Sequence, residues 1–136
     1  VEALAESARK WARGTHVGAE LKERLRKLMW EDGGIIREEK GLSRALSAVK
    51  DIQREASTSS SKPNGKELLD YIELRSAARV ATIILEAALK RRESRGAHFR
   101  EDFPDQNDLQ WQGHLQVQLA PGGENVWKFE PITKSG

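Results

Sequence analysis

Apolar residues recur at steps of three and four through the first two-fifths of the chain, the spacing of one-sided helices. Leu4, Ala8 and Trp11, with Ala5 and Ala12 beside them, predict a short helix over residues 1–13, broken by Gly14 and Gly18. Leu21, Leu25, Leu28 and Met29 predict a second over 19–31, whose other face carries Lys22, Glu23, Arg24, Arg26 and Lys27. Gly33 and Gly34 are expected to stop it by turning left-handed. A third helix, from about Glu38, points Leu42, Leu46, Val49 and Ile52 inward. Helices apolar on one side fold only against partners.

Residues 57–65, STSSSKPNG, lack periodicity and predict a surface loop. Asn64 with Glu67 three residues on resembles a capping box, and a helix of another kind follows, over about 65–94. Between Leu68 and Leu89, fifteen of twenty-two residues are apolar or Tyr. Arg75, Arg79, Thr82, Glu86, Lys90 and Glu93 fall on one narrow polar stripe, in which Arg75 and Arg79 form a solvated or interface face with Glu86. A helix so widely apolar belongs at the centre of a bundle, and three short helices leave part of its surface for a further partner.

Beyond Pro104 the period changes to two. Leu115, Val117 and Leu119 alternate with Gln116 and Gln118, and after the turn PGGEN a return strand covers 126–129. The expected fold is therefore mainly α: three to four helices around a long central apolar helix, with a small C-terminal β-hairpin anchored by Trp111 and Trp127. An isolated hairpin is marginal in water, so it must lie on the bundle.

Length and charge narrow the function classes. A chain of 136 residues makes one core. Its 23 basic and 21 acidic residues leave +2, too little to mark a nucleic-acid or anionic-membrane surface. No apolar run is long enough to span a bilayer, and no secretory signal with a cleavage site is present. The absence of cysteine excludes disulfides, thiolate zinc and cysteine-held clusters within the chain, which fits a cytoplasmic protein. Beginning at Val1, in a stretch that already reads as helix, the chain reads as a fragment or a processed piece.

The chemistry concentrates in residues 90–104, KRRESRGAHFREDFP, with five cations, three acids and a histidine. Lys90, Arg91 and Arg92 in the last helical turn complement the negative pole of the helix, and Gly96 suits a cap. That leaves Arg95, His98, Arg100, Glu101 and Asp102, a crowd of opposite charges suited to a rigid interdomain contact. A metal site from His98, His114, Glu101 and Asp102 fits no standard spacing. A nucleic-acid patch from Lys90, Arg91, Arg92, Arg95 and Arg100, with Phe99 for stacking, is opposed by Glu93, Glu101 and Asp102. A catalytic pair of Glu101 and Asp102 has neither nucleophile nor cleft.

The same stretch resembles the ESRGxHxRxD(F/Y)P signature of the flavoprotein subunits of succinate dehydrogenase and fumarate reductase, which L-aspartate oxidases carry in a related version. Residues 21–37, 68–92 and the turn DQNDLQWQGHL extend the resemblance over roughly 15–120. The Ala97-His98-Phe99-Arg100-Glu101-Asp102 form is closer to the first two. In that family FAD lies in a Rossmann-like domain and a capping domain closes over the dicarboxylate. No GxGxxG follows a strand here, so the resemblance implies only the C-terminal helical domain, with no cofactor of its own. Residues 1–14 would be the tail of the preceding segment, 15–104 the bundle, and 105–136 the turn and hairpin extension. Arg92, Glu93, Ser94, Arg95, Gly96, His98, Arg100 and Asp102 match the motif and would lie at the seam with the flavin domain, contributing geometry and positive potential. The implied partners are the FAD-binding and capping domains and, in membrane-bound relatives, an iron–sulfur subunit, which would place the protein at a membrane through its partners. Outside that class, the reading is a freestanding helical interaction module.

Overall fold

The computed structural model describes residues 17–58 and 65–132. The helix expected over 1–13 and the Asn64 cap lie outside the described residues.

Three helices build the core: α1 (Val17–Glu31), α2 (Glu39–Thr58) and α3 (Gly65–Lys90). The expected inward positions are the buried ones. Leu21 and Leu25 from α1, with Leu42, Val49 and Ile52 from α2, meet Leu74, Ala78, Ala81, Leu85 and Ala88 of α3. Leu28, Met29 and Leu46 pack partly buried at the margin. α2 continues to Thr58, through the first residues of the expected loop.

Two-residue strands β1 (Ile36–Arg37) and β2 (Phe99–Arg100) pair in parallel, Ile36 with Phe99 and Arg37 with Arg100. This pairing returns the chain after α3 to the corner between α1 and α2. A single helical turn, α4 (Asp108–Trp111), leads into the antiparallel hairpin of β3 (Gly113–Leu119) and β4 (Asn125–Pro131), longer than expected at both ends.

The hairpin lies on the polar stripe of α3. Arg79 donates to Asn125 Oδ1 at 2.6 Å, while Asn125 Nδ2 and Trp127 Nε1 both donate to Glu86, at 2.8 and 2.9 Å. Lys90 stands over the Trp127 ring, and Trp111 meets Phe129 edge to face at 5.5 Å. From Arg79 to Lys90 the stripe is thus an internal interface, with its charges used to hold a sheet that buries little apolar surface.

Two glycine expectations change. Gly33 and Gly34 do not turn left-handed; a Cβ on Gly34 would stand 2.5 Å from the Trp30 carbonyl oxygen, so close backbone approach is what requires glycine there. Gly96 does adopt φ +58°, but in the turn where Arg95 and His98 exchange backbone hydrogen bonds, not as a helix cap. α3 stops at Lys90, four residues before the expected end.

Candidate functional site

The carbonyls that Gly96 was expected to serve are capped from further along the chain. Arg100 is fully buried, and its Nη1 donates to the Ala88 and Leu89 carbonyls at 2.7 and 3.3 Å. A helix ends with unsatisfied carbonyls and a negative pole, so a guanidinium there satisfies both needs. Its Nε and Nη2 grip Asp102 in a two-point fork at 2.7 and 2.6 Å, and the Phe103 ring covers it at 5.1 Å. Asp102 Oδ2 also accepts the backbone N–H of Glu39, the first residue of α2, at 3.0 Å. The pair Arg100–Asp102 therefore joins the negative end of α3 to the positive end of α2. Arg100 holds the Asp102 carboxyl below the usual carboxylate range, against the effect of burial, with the Glu39 N–H adding to the shift.

Glu93 makes a second centre. It is fully buried and accepts from Arg91 at 2.5 Å, from Arg95 at 2.9 and 3.2 Å, and from the Asn107 N–H at 2.7 Å. Burial pushes its carboxyl up, and Arg95, the Asn107 N–H and Arg91 together outweigh this, leaving it lowered. Arg95 reaches on to Asp108 at 2.5 Å, and these two acids raise its already high pKa. Arg91 donates to the Trp111 and Gly113 carbonyls at 3.0 and 2.8 Å and lies over the Trp111 ring, tying the end of α3 to the start of the hairpin. Ser94 Oγ accepts from the Arg100 N–H at 2.9 Å and donates to the Phe103 carbonyl at 2.8 Å.

His98 is held in one tautomer. Nε2 lies 3.0 Å from the Arg91 carbonyl, which can only accept, and Nδ1 lies 3.0 Å from Arg37 Nη1, which can only donate. The ring is thus neutral with its proton on Nε2. Burial lowers its pKa, the bond to the Arg91 carbonyl opposes this, and the charges of Arg37, Arg100 and Arg91 lower it further. Arg37 was not singled out from the sequence. It sits 61 residues from His98 in the chain, with no local signal beyond its place after a double glycine. Its Nε donates to the Gly33 and Gly34 carbonyls at 3.2 and 2.7 Å, and burial lowers its pKa.

Of the eight motif residues, Glu93, Ser94, Arg95, His98, Arg100 and Asp102 enter this one network. Arg92 and Gly96 stay at the surface, Arg92 over the Phe103 ring at 5.9 Å. The acids alongside Arg91, Arg95 and Arg100 leave no phosphate-binding stripe. His114 and Glu101 stand exposed, and among the described residues no three His, Asp or Glu converge as metal ligands. Asp102 is held by Arg100 and the Glu39 N–H, so it forms no acid–base couple with Glu101. Chemically the arrangement is a clamp: it fixes the ends of α2 and α3 and the start of β3 to one another.

A family profile described as fumarate reductase flavoprotein C-term matches residues 22–135. An uncharacterized FAD-dependent oxidoreductase of Methanocaldococcus jannaschii is 40% identical over 83% of the chain and 20% of its own length. A succinate dehydrogenase flavoprotein subunit of Rickettsia conorii is 29% identical over 90% of the chain and 21% of its own. The chain spans about a fifth of the length of these curated relatives. The fold is shared with E. coli quinol fumarate reductase FrdA, at a TM-score of 0.74 and 23% identity, over 97% of this chain and 25% of that one.

Proposed function

The chain belongs to the fumarate reductase flavoprotein C-terminal family, and from that premise we propose that it is the helical end domain of an FAD-dependent oxidoreductase of the succinate/fumarate class, packed against the flavin-bearing domains and carrying no redox chemistry itself. One observation supports this above the others: the buried charges of the motif are directed inward, onto helix ends and one another, and none faces a cleft where a substrate could meet an acid and a base.

The described residues do not fit a flavin. A dinucleotide pyrophosphate needs a glycine-rich turn from a strand into a helix whose first N–H groups are free. Here β1 leads into α2 through Glu38, and the Glu39 N–H is already taken by the Asp102 carboxylate, which would repel a phosphate. The exposed members of the motif region, Arg92, Gly96 and Phe99, form the proposed seam with the flavin domain, and Ile36 extends it beside Phe99. An iron–sulfur subunit belongs to the proposal as a partner of the whole enzyme. No helix among the described residues is long and apolar enough to cross a membrane, so any membrane association is proposed to run through partners. A freestanding interaction module would close its apolar surface, whereas Ile72 and Val80 are each 55% exposed.

A flavin titration of the purified chain, followed by its visible spectrum, tests the reading. The expected result is no bound flavin beside cooperative unfolding of a helical protein; tight stoichiometric flavin refutes it. In the full-length polypeptide, Arg95→Ala or His98→Ala, which disturb the network behind the seam, should weaken flavin retention while leaving the bundle folded, and wild-type retention in both would show that this network does not support the seam.

A further inference from the structure

The apolar surface that α1 and α2 leave uncovered on α3 is organised as a groove. It runs between α1 and α3, with a volume of about 650 Å3, over an aliphatic floor that includes Leu25, Met29, Ala77, Val80, Ala81 and Ile84. Ile84 is shared with a second depression of about 380 Å3, which continues along α3 past Ala87 and Ala88 to Arg91. The two meet at Ile84 and lie along one face of α3 from Glu73 to Arg91, roughly 27 Å at the helical rise of about 1.5 Å per residue, and are taken together as one channel. Its character changes along its length: the first part is aliphatic apart from Lys22, Arg26, Glu73 and Ser76, and the far end is lined by Arg37, Arg91, His98 and His114 with no carboxylate among its lining residues. Among the described residues no carboxylate reaches Arg37, whose partners are two backbone carbonyls and a neutral imidazole.

We propose that this channel seats one α-helix from the flavin-bearing remainder of the polypeptide, apolar on its inner face and carrying a carboxylate that meets Arg37. This rests on the domain reading above and names the surface through which that domain is held. Three observations select the occupant. The relatives are about five times as long as the segment they match, so most of such a polypeptide lies outside this structure. Arg91 is already paired with Glu93, so Arg37 is the charge at this end that no acid meets among the described residues, and it complements one. Small residues on the inner wall, Ser76, Ala77 and Ala81, allow helix axes to approach to about 8–10 Å. A strand laid there would leave its backbone groups facing aliphatic carbons, whereas a helix satisfies its own.

The test uses the full-length polypeptide with a photo-crosslinking benzoylphenylalanine at Val80, and separately the variants Ala77→Trp and Phe99→Asp. Ala77 is exposed, so tryptophan there fills the channel without entering the core. The expected results are a crosslink to a segment outside residues 1–136, and at least a tenfold weaker flavin retention in Ala77→Trp with unchanged helical circular dichroism. Crosslinks confined to residues 1–136, or to a second copy of the chain, overturn the proposal. If Phe99→Asp releases flavin and Ala77→Trp does not, the channel assignment fails while the seam stands. If a wild-type full-length protein binds no flavin, the functional reading itself fails.

Discussion

Arg100→Met is the sharpest test of how this domain is held together. Methionine keeps most of the buried stem but removes the guanidinium, so the Ala88 and Leu89 carbonyls lose their donor and Asp102 loses its fork. Removing one member of a buried ion pair costs about 3–5 kcal/mol. The Asp102 side chain is 29% exposed, so water recovers part of its solvation, which places the fork at the low end. Orphaning carbonyls beneath it adds to the loss, at about 1–3 kcal/mol for a fully buried group. A destabilisation of about 4–6 kcal/mol follows, a large share of the ~5–15 kcal/mol that holds an ordinary domain. Asp102→Asn should cost less, about 1–2 kcal/mol, because Arg100 keeps its bonds to the helix end and to the amide oxygen. Urea unfolding by far-ultraviolet circular dichroism measures both, with a lower midpoint and an unchanged slope expected. Amide exchange should quicken in the last turn of α3 and the first turn of α2 together, since one pair ties both. A loss below about 1 kcal/mol for Arg100→Met would refute the capping role.

Acidification should weaken the domain in two windows. Glu93 and Asp102 have lowered pKa values when folded, so between those values and the unfolded ones, near pH ~4, the unfolded chain binds more protons; the stabilisation is full above about pH 4 and is lost as pH falls through the folded values. His98 is lowered too, and its unfolded ring protonates near pH ~6.5, so stability should already fall on acidification from about that point. Urea midpoints from about pH 8 to about pH 3 measure this, and the upper window should vanish in His98→Gln; an unchanged profile in that variant would place the titration elsewhere. Trp127→Phe removes the indole donor to Glu86 and should loosen the hairpin by about 1 kcal/mol. The expected readout is faster amide exchange across β3 and β4 with the exchange of α2 unchanged, and an undisturbed hairpin would show that Asn125 and Arg79 suffice.

Repetition in the chain made much of this architecture legible. The three- and four-residue spacing of Leu21, Leu25, Leu42, Val49 and Ile52 is itself the inward face of a helix, and alternation from Leu115 to Leu119 is itself a strand. The excess of apolar residues on α3 likewise announced a surface that its neighbours in the chain could not cover, and Ile72 and Val80 lie open on it. What only the tertiary structure decided is where the charges go. Arg100 caps carbonyls eleven and twelve residues earlier in sequence, Asp102 caps a helix that starts 63 residues away, and Arg37 fixes the tautomer of a histidine 61 residues on. Periodicity reports which side of an element faces the core because that is a local property of backbone geometry. The partner of a buried charge is set by which chain ends the fold brings within about 3 Å, and no spacing along the sequence encodes that.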